Sequence, residues 1–151
     1  MKDVIKGIAS FKLTKKRMEI VKKDEITIIN DSYNASYDSM KAGLEYLKNV
    51  TGKRKIAVLG DMLELGEFSK ELHEKVGEEV AKNNIDILIT VGNYAKYIAS
   101  KAKELGENNV NIYDTNKDAS NYLKSVLKPG DVILLKASNS MKFGEIFEAI
   151  I

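Results

Sequence analysis

The stretches KIAVLGD (residues 55–61), IDILITVGN (85–93) and DVILLKAS (131–138) decide the fold of this 151-residue chain. Each is a short run rich in Ile, Val and Leu that lacks strict alternation of apolar and polar residues and ends in small or polar ones. Such runs are typical of strands that are buried on both faces of a parallel sheet. EITIIND (25–31) and VNIYD (110–114) follow the same pattern, so the sequence predicts five parallel strands.

Segments with helical periodicity lie between these runs. Their apolar residues recur three or four positions apart, which predicts one buried stripe on each helix. The stripes are Met40, Leu44 and Leu47; Phe68, Leu72, Val76 and Val80; Tyr94, Ile98, Ala102 and Leu105; Ala119, Tyr122, Leu123 and Val126; and Phe143, Ile146, Phe147 and Ile150. Alternation of strands and helices favours a doubly wound α/β domain.

The segment before Glu25 predicts one further strand. KKRMEIV (15–21) precedes a charged turn that starts at Lys22, so it forms a hairpin with the next strand and adds an antiparallel edge. We therefore predict a Rossmann-like, doubly wound, mostly parallel six-stranded sheet with one antiparallel edge strand. Residues 1–14 show no clear period and are interpreted as an interdomain linker or N-terminal extension, and residues 15–151 as the domain.

The composition excludes several kinds of site. The chain has no Cys and a single His, His73, which excludes thiolate chemistry and a His-rich metal site. Lys and Arg number 24 against 22 Asp and Glu, a net charge of +2 that does not favour nucleic acid or a membrane surface as partner. With no long apolar run and no signal peptide, we expect a soluble cytoplasmic protein without membrane insertion.

Polar residues concentrate where the predicted parallel strands end, and ligands bind at that edge of open α/β sheets. The segments concerned are residues 31–34, 60–61, 92–93, 114–116 and 136–139. The same residue types are also common in turns, so a structural explanation stays open for each of them. None of the ten Gly residues opens a G-x-x-x-x-G-K-[ST] motif, so this domain would bind only part of an ATP molecule.

Two longer motifs are more specific. DSYNASYDSM (31–40) and VLGDMLELGE (58–67) resemble motifs of the C-terminal domain of the Mur ligases, and within them of the ligases that add D-alanyl-D-alanine to UDP-N-acetylmuramoyl-tripeptide. KRME (16–19), His73 and KASNSM (136–141) extend the resemblance, which covers nearly the whole chain. Ser36 and Tyr37 replace the usual Asn-Pro, and since Ser is also a good N-cap we expect the following helix to form.

The resemblance implies an ATP-dependent, three-domain amide ligase of peptidoglycan synthesis. Its substrates would be D-alanyl-D-alanine and UDP-N-acetylmuramoyl-tripeptide, and its cofactors ATP and Mg²⁺. The central domain would carry the phosphate-binding loop, the magnesium ligands and most of the catalytic apparatus. This chain would close over ATP, present the dipeptide and contact its own N-terminal and central domains. It would hold no catalytic or metal-binding residue, and alone it would be inactive.

The resemblance also assigns ATP-binding residues. Arg17 would reach the phosphates, because a guanidinium matches phosphate oxygens in a bidentate geometry. Asp31 would accept hydrogen bonds from the ribose hydroxyls. Asn34, which has both a donor and an acceptor, would bind the adenine or ribose edge.

A second set of residues is assigned to the dipeptide. Asp61 and Glu64 would hold its ammonium group, while Lys136, Ser138 and Asn139, at the end of the last strand and the start of a helix, would hold its carboxylate. The role of His73 stays open.

Two alternatives come from other classes of protein. A receiver domain of two-component signalling shares the strand and helix alternation, with Asp31 and Lys136 at matching positions. It needs a phosphate-accepting Asp after the middle strand, where this sequence has TVGN (90–93). The other alternative is a stand-alone nucleotide-binding module without ligase activity.

Overall fold

A computed structural model describes residues 18–151 as one six-stranded sheet between two layers of helices. The strands are β1 (Glu19–Lys23), β2 (Ile26–Asn30), β3 (Arg54–Gly60), β4 (Ile87–Val91), β5 (Val110–Tyr113) and β6 (Asp131–Lys136). Their order across the sheet is β1-β2-β6-β3-β4-β5. β1 pairs with β2 antiparallel, and all the other pairs are parallel. The predicted fold class is confirmed.

Five α-helices cover the two faces of the sheet. They are α1 (Tyr37–Asn49), α2 (Ser69–Lys82), α3 (Ala95–Glu104), α4 (Asn116–Val126) and α5 (Gly144–Ile150). α1, α2 and α3 pack their stripes on one face, and α4 and α5 pack theirs on the other. Alternate strand residues supply the two cores: Leu59 faces the first, and Val58 faces the second. Burial on both faces explains why β3, β4 and β6 read as continuous apolar runs. The edge strand β5, which was predicted to be buried in the same way, is only partly buried, because it has a neighbouring strand on one side only.

The ends of two helical stripes differ from prediction. Phe68 is 56% exposed, because it lies in a 3₁₀ turn (Gly66–Phe68) that precedes α2. Tyr94 and Leu105, which flank α3, are exposed at 44% and 49%. A periodic pattern identifies the buried face of a helix, but it does not fix the residue at which the helix leaves the core.

The hairpin between β1 and β2 is tighter than predicted. Lys23 pairs with Ile26, so only Asp24 and Glu25 form the turn, with φ angles of 53° and 66°. Two consecutive residues with positive φ are typical of a two-residue hairpin turn whose twist matches that of its strands. The amide of Gly130 donates to the carbonyl of Glu25 at 2.8 Å, which anchors the turn to the start of β6.

The predicted start of α1 is confirmed. The Ser36 hydroxyl accepts from the amide of Ser39 at 3.2 Å, and the Ser39 hydroxyl accepts from the amide of Ser36 at 2.9 Å. This reciprocal pair satisfies two amides at the helix start. Tyr37, which stands where the family motif has proline, donates from its hydroxyl to Glu79 at 3.0 Å and so connects α1 with α2.

No helix within residues 18–151 has both the length and the apolar character that crossing a bilayer requires. The predicted linker, residues 1–14, lies outside the described residues, as does the predicted beginning of the first strand.

Candidate functional site

The carboxyl ends of the parallel strands form one edge of the sheet, and the sequence-predicted residues gather there. β6 lies between β2 and β3. The end of β6 at Lys136 and the segment after it, with Ser138 and Asn139, therefore separate the turn after β2 from the loop after β3. Asp31 and Asn34 lie on one side of it, and the loop that starts at Asp61 lies on the other.

A pocket of about 300 Å³ opens beside the end of β2. It is lined by Met18, Asp31, Tyr33, Asn34, Ser36, Ser39 and Lys136. Two of the three residues predicted to bind ATP are in this lining. The third, Arg17, lies outside the described residues, although Met18 next to it in sequence lines the pocket. Tyr33 and Ser39 were not predicted to contribute, but both lie within the motif 31–40 that carries the family resemblance.

Asp31 and Lys136 form an ion pair inside this lining. The Lys136 Nζ lies 2.9 Å from Asp31 Oδ2 and 3.2 Å from the carbonyl oxygen of Asn34. The Lys136 side chain is 2% exposed and that of Asp31 is 14% exposed. The sequence-based assignment placed these residues in two subsites, whereas the structure pairs them at one.

The Asp31–Asn34 turn is also fixed by two hydrogen bonds from backbone amides. The amide of Asp31 donates to the carbonyl of Leu135 at 2.9 Å, which continues the pairing of β2 with β6. The Oδ1 atom of Asn34 accepts from the amide of Ala35 at 2.8 Å, while the residue itself is exposed. The Asn34 side chain therefore lies at the surface of the pocket with its carbonyl group directed at the backbone.

Asp61 lies beneath the loop after β3. It is 6% exposed, and its Oδ1 accepts from the amide of Ala95, the first residue of α3, at 2.7 Å. Its backbone carbonyl accepts from the amide of Ser138 at 3.0 Å. Gly92 packs against the carboxylate so closely that a Cβ atom there would lie 2.5 Å from Oδ1. The structure thus gives Asp61 protein partners rather than an open cleft.

Of the other predicted dipeptide residues, Ser138 contacts Asp61, whereas Lys136 pairs with Asp31. The Ser138 hydroxyl accepts from the amide of Leu63 at 2.9 Å and so connects the ends of β6 and β3. Glu64 and Asn139 are exposed, and Glu64 has a φ of 65°. The helix expected to open at Asn139 is a three-residue 3₁₀ turn (Asn139–Met141), and Lys142, at a φ of 58°, separates it from α5. That turn is too short to provide a full set of unpaired helix amides.

His73 is buried within α2 and holds the same loop. Its Nε2 accepts from the amide of Met62 at 2.9 Å, and its Nδ1 lies 2.6 Å from the carbonyl oxygen of Ser69, so the neutral ring donates from Nδ1. Burial lowers the pKa of His73 below its ordinary value, against the opposing effects of the Ser69 carbonyl and the Asp61 charge. A neutral ring is what the Met62 bond requires, since only an unprotonated Nε2 accepts.

Within residues 18–151, no group of three or more His, Asp or Glu side chains is arranged to hold a metal ion. At the strand ends, Asp31 pairs with Lys136, Asp61 accepts from the amide of Ala95, and Asp114 lies 3.4 Å from the Nζ of Lys96. The described part of the chain therefore does not fit the Mg²⁺ ion that an ATP-dependent ligase uses.

Comparisons with known proteins identify the family. The family model described as Mur ligase, glutamate ligase domain, matches residues 16–139. The UDP-N-acetylmuramoyl-tripeptide–D-alanyl-D-alanine ligase of Bacillus subtilis is 39% identical over 152 residues, which cover 99% of this chain and 33% of the relative. The ligase of the same name from Synechocystis sp. is 35% identical over 129 residues, which cover 84% and 28%. The chain spans about a third of the length of such relatives.

Solved structures give the same result. The MurF ligase from Thermotoga maritima in complex with ADP has a TM-score of 0.78 and 30% identity, over 94% of this chain and 32% of that one. A MurF structure from Acinetobacter baumannii has a TM-score of 0.82 and 25% identity, over 91% and 30%. The likeness in fold thus extends over nearly all of this chain.

Proposed function

The chain belongs to the Mur ligase family through its glutamate ligase domain, and from that premise we propose that it is the C-terminal domain of an ATP-dependent ligase. That enzyme joins D-alanyl-D-alanine to UDP-N-acetylmuramoyl-tripeptide in peptidoglycan synthesis. The relatives in Bacillus subtilis and Synechocystis sp. carry the name of this reaction. Because nucleotide-linked precursors and ATP are available in the cytoplasm, we place the enzyme there.

One observation carries the proposal for ATP. Asp31 and Asn34, two residues selected from the motif, line a single pocket at the carboxyl ends of two neighbouring strands. The MurF ligase of similar fold was solved with ADP. Asp31 has a second carboxylate oxygen besides the one that Lys136 holds, and its lone pairs suit ribose hydroxyls. We assign Asn34 to the adenine or ribose edge, and Arg17 to the phosphates.

The pocket is small for a whole nucleotide triphosphate, at about 300 Å³. Its described lining offers Lys136 as a cation, and the Nζ of that lysine is already bound to Asp31 and Asn34. We therefore infer that this domain binds ATP chiefly through its ribose and adenine. The triphosphate and Mg²⁺ would be held mainly by the central domain, with Arg17 of this chain reaching the phosphates, and we derive no step through the metal ion in this chain.

The dipeptide would bind on the other side of the β6 end. Glu64 is exposed on the loop after β3 and suits an ammonium group, while Ser138 and Asn139 follow β6 and suit a carboxylate. The Ser138 hydroxyl can donate a hydrogen bond while it accepts the one from Leu63. Asp61 supports this subsite from below, through its carbonyl bond to the amide of Ser138.

The chemistry that such a site serves is amide formation through an acyl phosphate. A carboxylate oxygen of the tripeptide attacks the γ-phosphorus of ATP and ADP leaves. The dipeptide amine then attacks the acyl carbon, phosphate leaves, and the nitrogen loses a proton. In this proposal the residues of this chain bind and orient ATP and the dipeptide amine. Domain closure brings ATP to the tripeptide carboxylate and then the amine to the acyl phosphate.

A ligation assay tests the proposal. The full-length polypeptide that contains this chain is incubated with ATP, Mg²⁺, D-alanyl-D-alanine and UDP-N-acetylmuramoyl-tripeptide, beside the isolated chain. We expect amide product and phosphate release that depends on the dipeptide from the full-length protein only, since the isolated chain offers no loop for a triphosphate. Phosphate release by the isolated chain, or dipeptide-independent activity of the full-length protein, would contradict the proposal.

A domain exchange tests whether this chain can replace the corresponding domain of a relative. The third of the Bacillus subtilis relative that matches this chain is replaced by this chain, and the match covers 99% of this chain. Product formation by this hybrid, together with its absence when the relative lacks that third, would assign the missing activity to the domain itself.

A further inference from the structure

We propose that Lys136 is a positioning residue for the nucleotide pocket: it fixes Asp31 and the turn up to Asn34, and it does not bind the dipeptide. This inference rests on the proposed function, because the pocket is the one we assign to ATP. It replaces a carboxylate-binding role for Lys136 with a role that acts through Asp31.

The burial of Lys136 is the first support. Its side chain is 2% exposed and is one of the largest fully buried side chains among the described residues. A lysine ammonium is rarely buried without a charged partner, because its removal from water is strongly unfavourable. Two of the three N–H donors of Nζ are directed at Asp31 and at the carbonyl of Asn34, and the burial of the side chain separates Nζ from the other residues assigned to the dipeptide. The observed geometry therefore favours an internal role.

The two bonds of Nζ are the second support. One goes to the side chain of Asp31 and the other to the backbone of Asn34, so they hold both ends of the same turn. These are the two described residues that we assign to ATP. The pair joins residues 105 positions apart in sequence, and thereby fixes the β2–α1 turn to the end of the neighbouring strand β6.

Helix α1 provides a passage for the lysine stem, which is the third support. A Cβ atom on Gly43 would lie 3.3 Å from Cδ of Lys136 and 3.4 Å from Cδ2 of Leu134. Glycine inside a helix is less favourable than alanine, because it loses more backbone conformational freedom on folding. Gly43 is buried in α1 at the point where the helix crosses the stem, and its missing side chain leaves room for the lysine.

The test measures which substrate loses affinity. In the full-length ligase, Lys136→Met keeps the stem and removes the ammonium. We expect the KM for ATP to rise roughly tenfold or more, the scale of losing bonds to a charged group, while the KM for D-alanyl-D-alanine stays within about twofold. Lys136→Arg, which keeps the charge, is expected to recover part of the ATP affinity.

Lys55→Met is the matched control. Lys55 lies at the amino end of β3, and its Nζ donates to three carbonyls at the end of α1, namely those of Leu47, Lys48 and Val50. Its loss is expected to reduce stability without changing either KM. A general loss of stability would thus not imitate the expected result for Lys136.

A double substitution covers the case in which Lys136→Met does not fold. Asp31→Asn combined with Lys136→Met removes both charges, so no unpaired ion is buried. If Lys136 acts mainly through Asp31, the KM for ATP of the double variant stays close to that of Asp31→Asn alone, because the ion pair is already lost and only the bond to the carbonyl of Asn34 remains to be removed. A further rise of roughly tenfold over Asp31→Asn alone, the size expected for Lys136→Met, would overturn the inference.

Other outcomes are equally decisive. A rise in the KM for D-alanyl-D-alanine alone would make Lys136 a dipeptide-binding residue, and unchanged KM values in a folded Lys136→Met enzyme would make it merely structural. Either result overturns this inference and leaves the proposed function standing. A wild-type full-length protein that forms no amide product would overturn both.

Discussion

The carboxylate of Asp61 caps helix α3 from a different strand, with Oδ1 2.7 Å from the amide of Ala95. The residue before the helix, Tyr94, provides no side-chain cap. Asp61 follows β3, and α3 follows β4, the neighbouring strand. A carboxylate at a helix N-terminus satisfies an unpaired amide and interacts favourably with the helix dipole. The loop after β3 is therefore tied to the start of α3.

Removal of this cap should destabilise the domain. We expect Asp61→Ala to lower the free energy of unfolding by about 1 kcal/mol, the usual value of a lost N-cap. Asp61→Asn should lower the free energy of unfolding by less, because its side-chain oxygen can still accept the hydrogen bond from the amide of Ala95. Urea denaturation of both variants measures the difference. If Asp61→Asn left stability unchanged but raised the KM for D-alanyl-D-alanine in the full-length enzyme, Asp61 would instead bind the dipeptide directly.

Gly92 should tolerate no side chain. It has a φ of 116°, and a Cβ atom would lie 2.5 Å from Asp61 Oδ1. Gly92→Ala therefore adds backbone strain of about 1–3 kcal/mol and also displaces the cap. Gly106→Ala is the control, since Gly106 has a φ of 102° but nothing within 4 Å of its Cβ position. Equal losses of stability in the two variants would contradict the close packing of Gly92 against Asp61.

The stability of the domain should depend on pH through His73. Its pKa is lowered in the folded state, so between that value and about 6.5 the unfolded chain binds more protons. The contribution of the neutral His73 to the free energy of unfolding is then fully present above about pH 6.5. It falls as the pH drops towards the folded pKa, by at most about 1.4 kcal/mol per pH unit. Protonation also places an N–H group against the amide of Met62.

His73→Gln provides the comparison, because the sequence contains no other histidine. Urea midpoints from pH 7.5 down to pH 5 should slope for the wild type and be nearly flat for the variant. A slope of the same size in both proteins would assign the pH dependence to other groups.

The ion pair at the opposite edge of the sheet should matter for stability alone. Arg54 donates twice to Asp131, at 2.8 Å each, and Asp131 is 1% exposed. Burial by itself would raise the pKa of Asp131, but the bonds from Arg54 and from the amide of Lys128 outweigh it and lower that pKa. The stability that this carboxylate contributes is thus present above about pH 4 and is lost as the pH falls through the folded pKa.

Arg54→Met leaves the Asp131 carboxylate buried without its cation. We expect a loss of about 2–4 kcal/mol, at the lower end for a buried pair because Arg54 is 29% exposed. Adding Asp131→Asn to Arg54→Met should restore part of the lost stability, because no unpaired charge is then buried. Urea denaturation measures stability, and ligase assays on the full-length variants should show unchanged KM values. A raised KM for ATP would contradict a purely structural pair.

Asp31→Ala should affect both ATP binding and the fold. Loss of the proposed ribose contact should weaken apparent ATP affinity by roughly 1–3 kcal/mol. The same change leaves the ammonium of Lys136 with only the carbonyl of Asn34, so the free energy of unfolding should also fall. Kinetics at saturating D-alanyl-D-alanine measure the first effect and urea denaturation the second. An unchanged KM for ATP would refute the ribose contact.

Local patterns in the sequence were sufficient to predict the strands and helices of this fold. Apolar runs identified the strands that are buried on both faces, and helical stripes identified the inner faces of the helices, because both patterns repeat within a few residues. The cap at Ser36 was predictable for the same reason, since its partner Ser39 is three positions away. The motifs 31–40 and 58–67 located the candidate site along the chain.

Which residues of the site act together depends on the order of the strands in the sheet. β6, the last strand in sequence, inserts between β2 and β3, and this order brings Lys136 to Asp31 and Ser138 to Leu63. Periodicity describes how one element buries its own face and contains no information on which strand becomes its neighbour. The contacts that assign Lys136 to Asp31 and Asp61 to Ala95 depend on strand order, and strand order is fixed by the packing of the whole sheet.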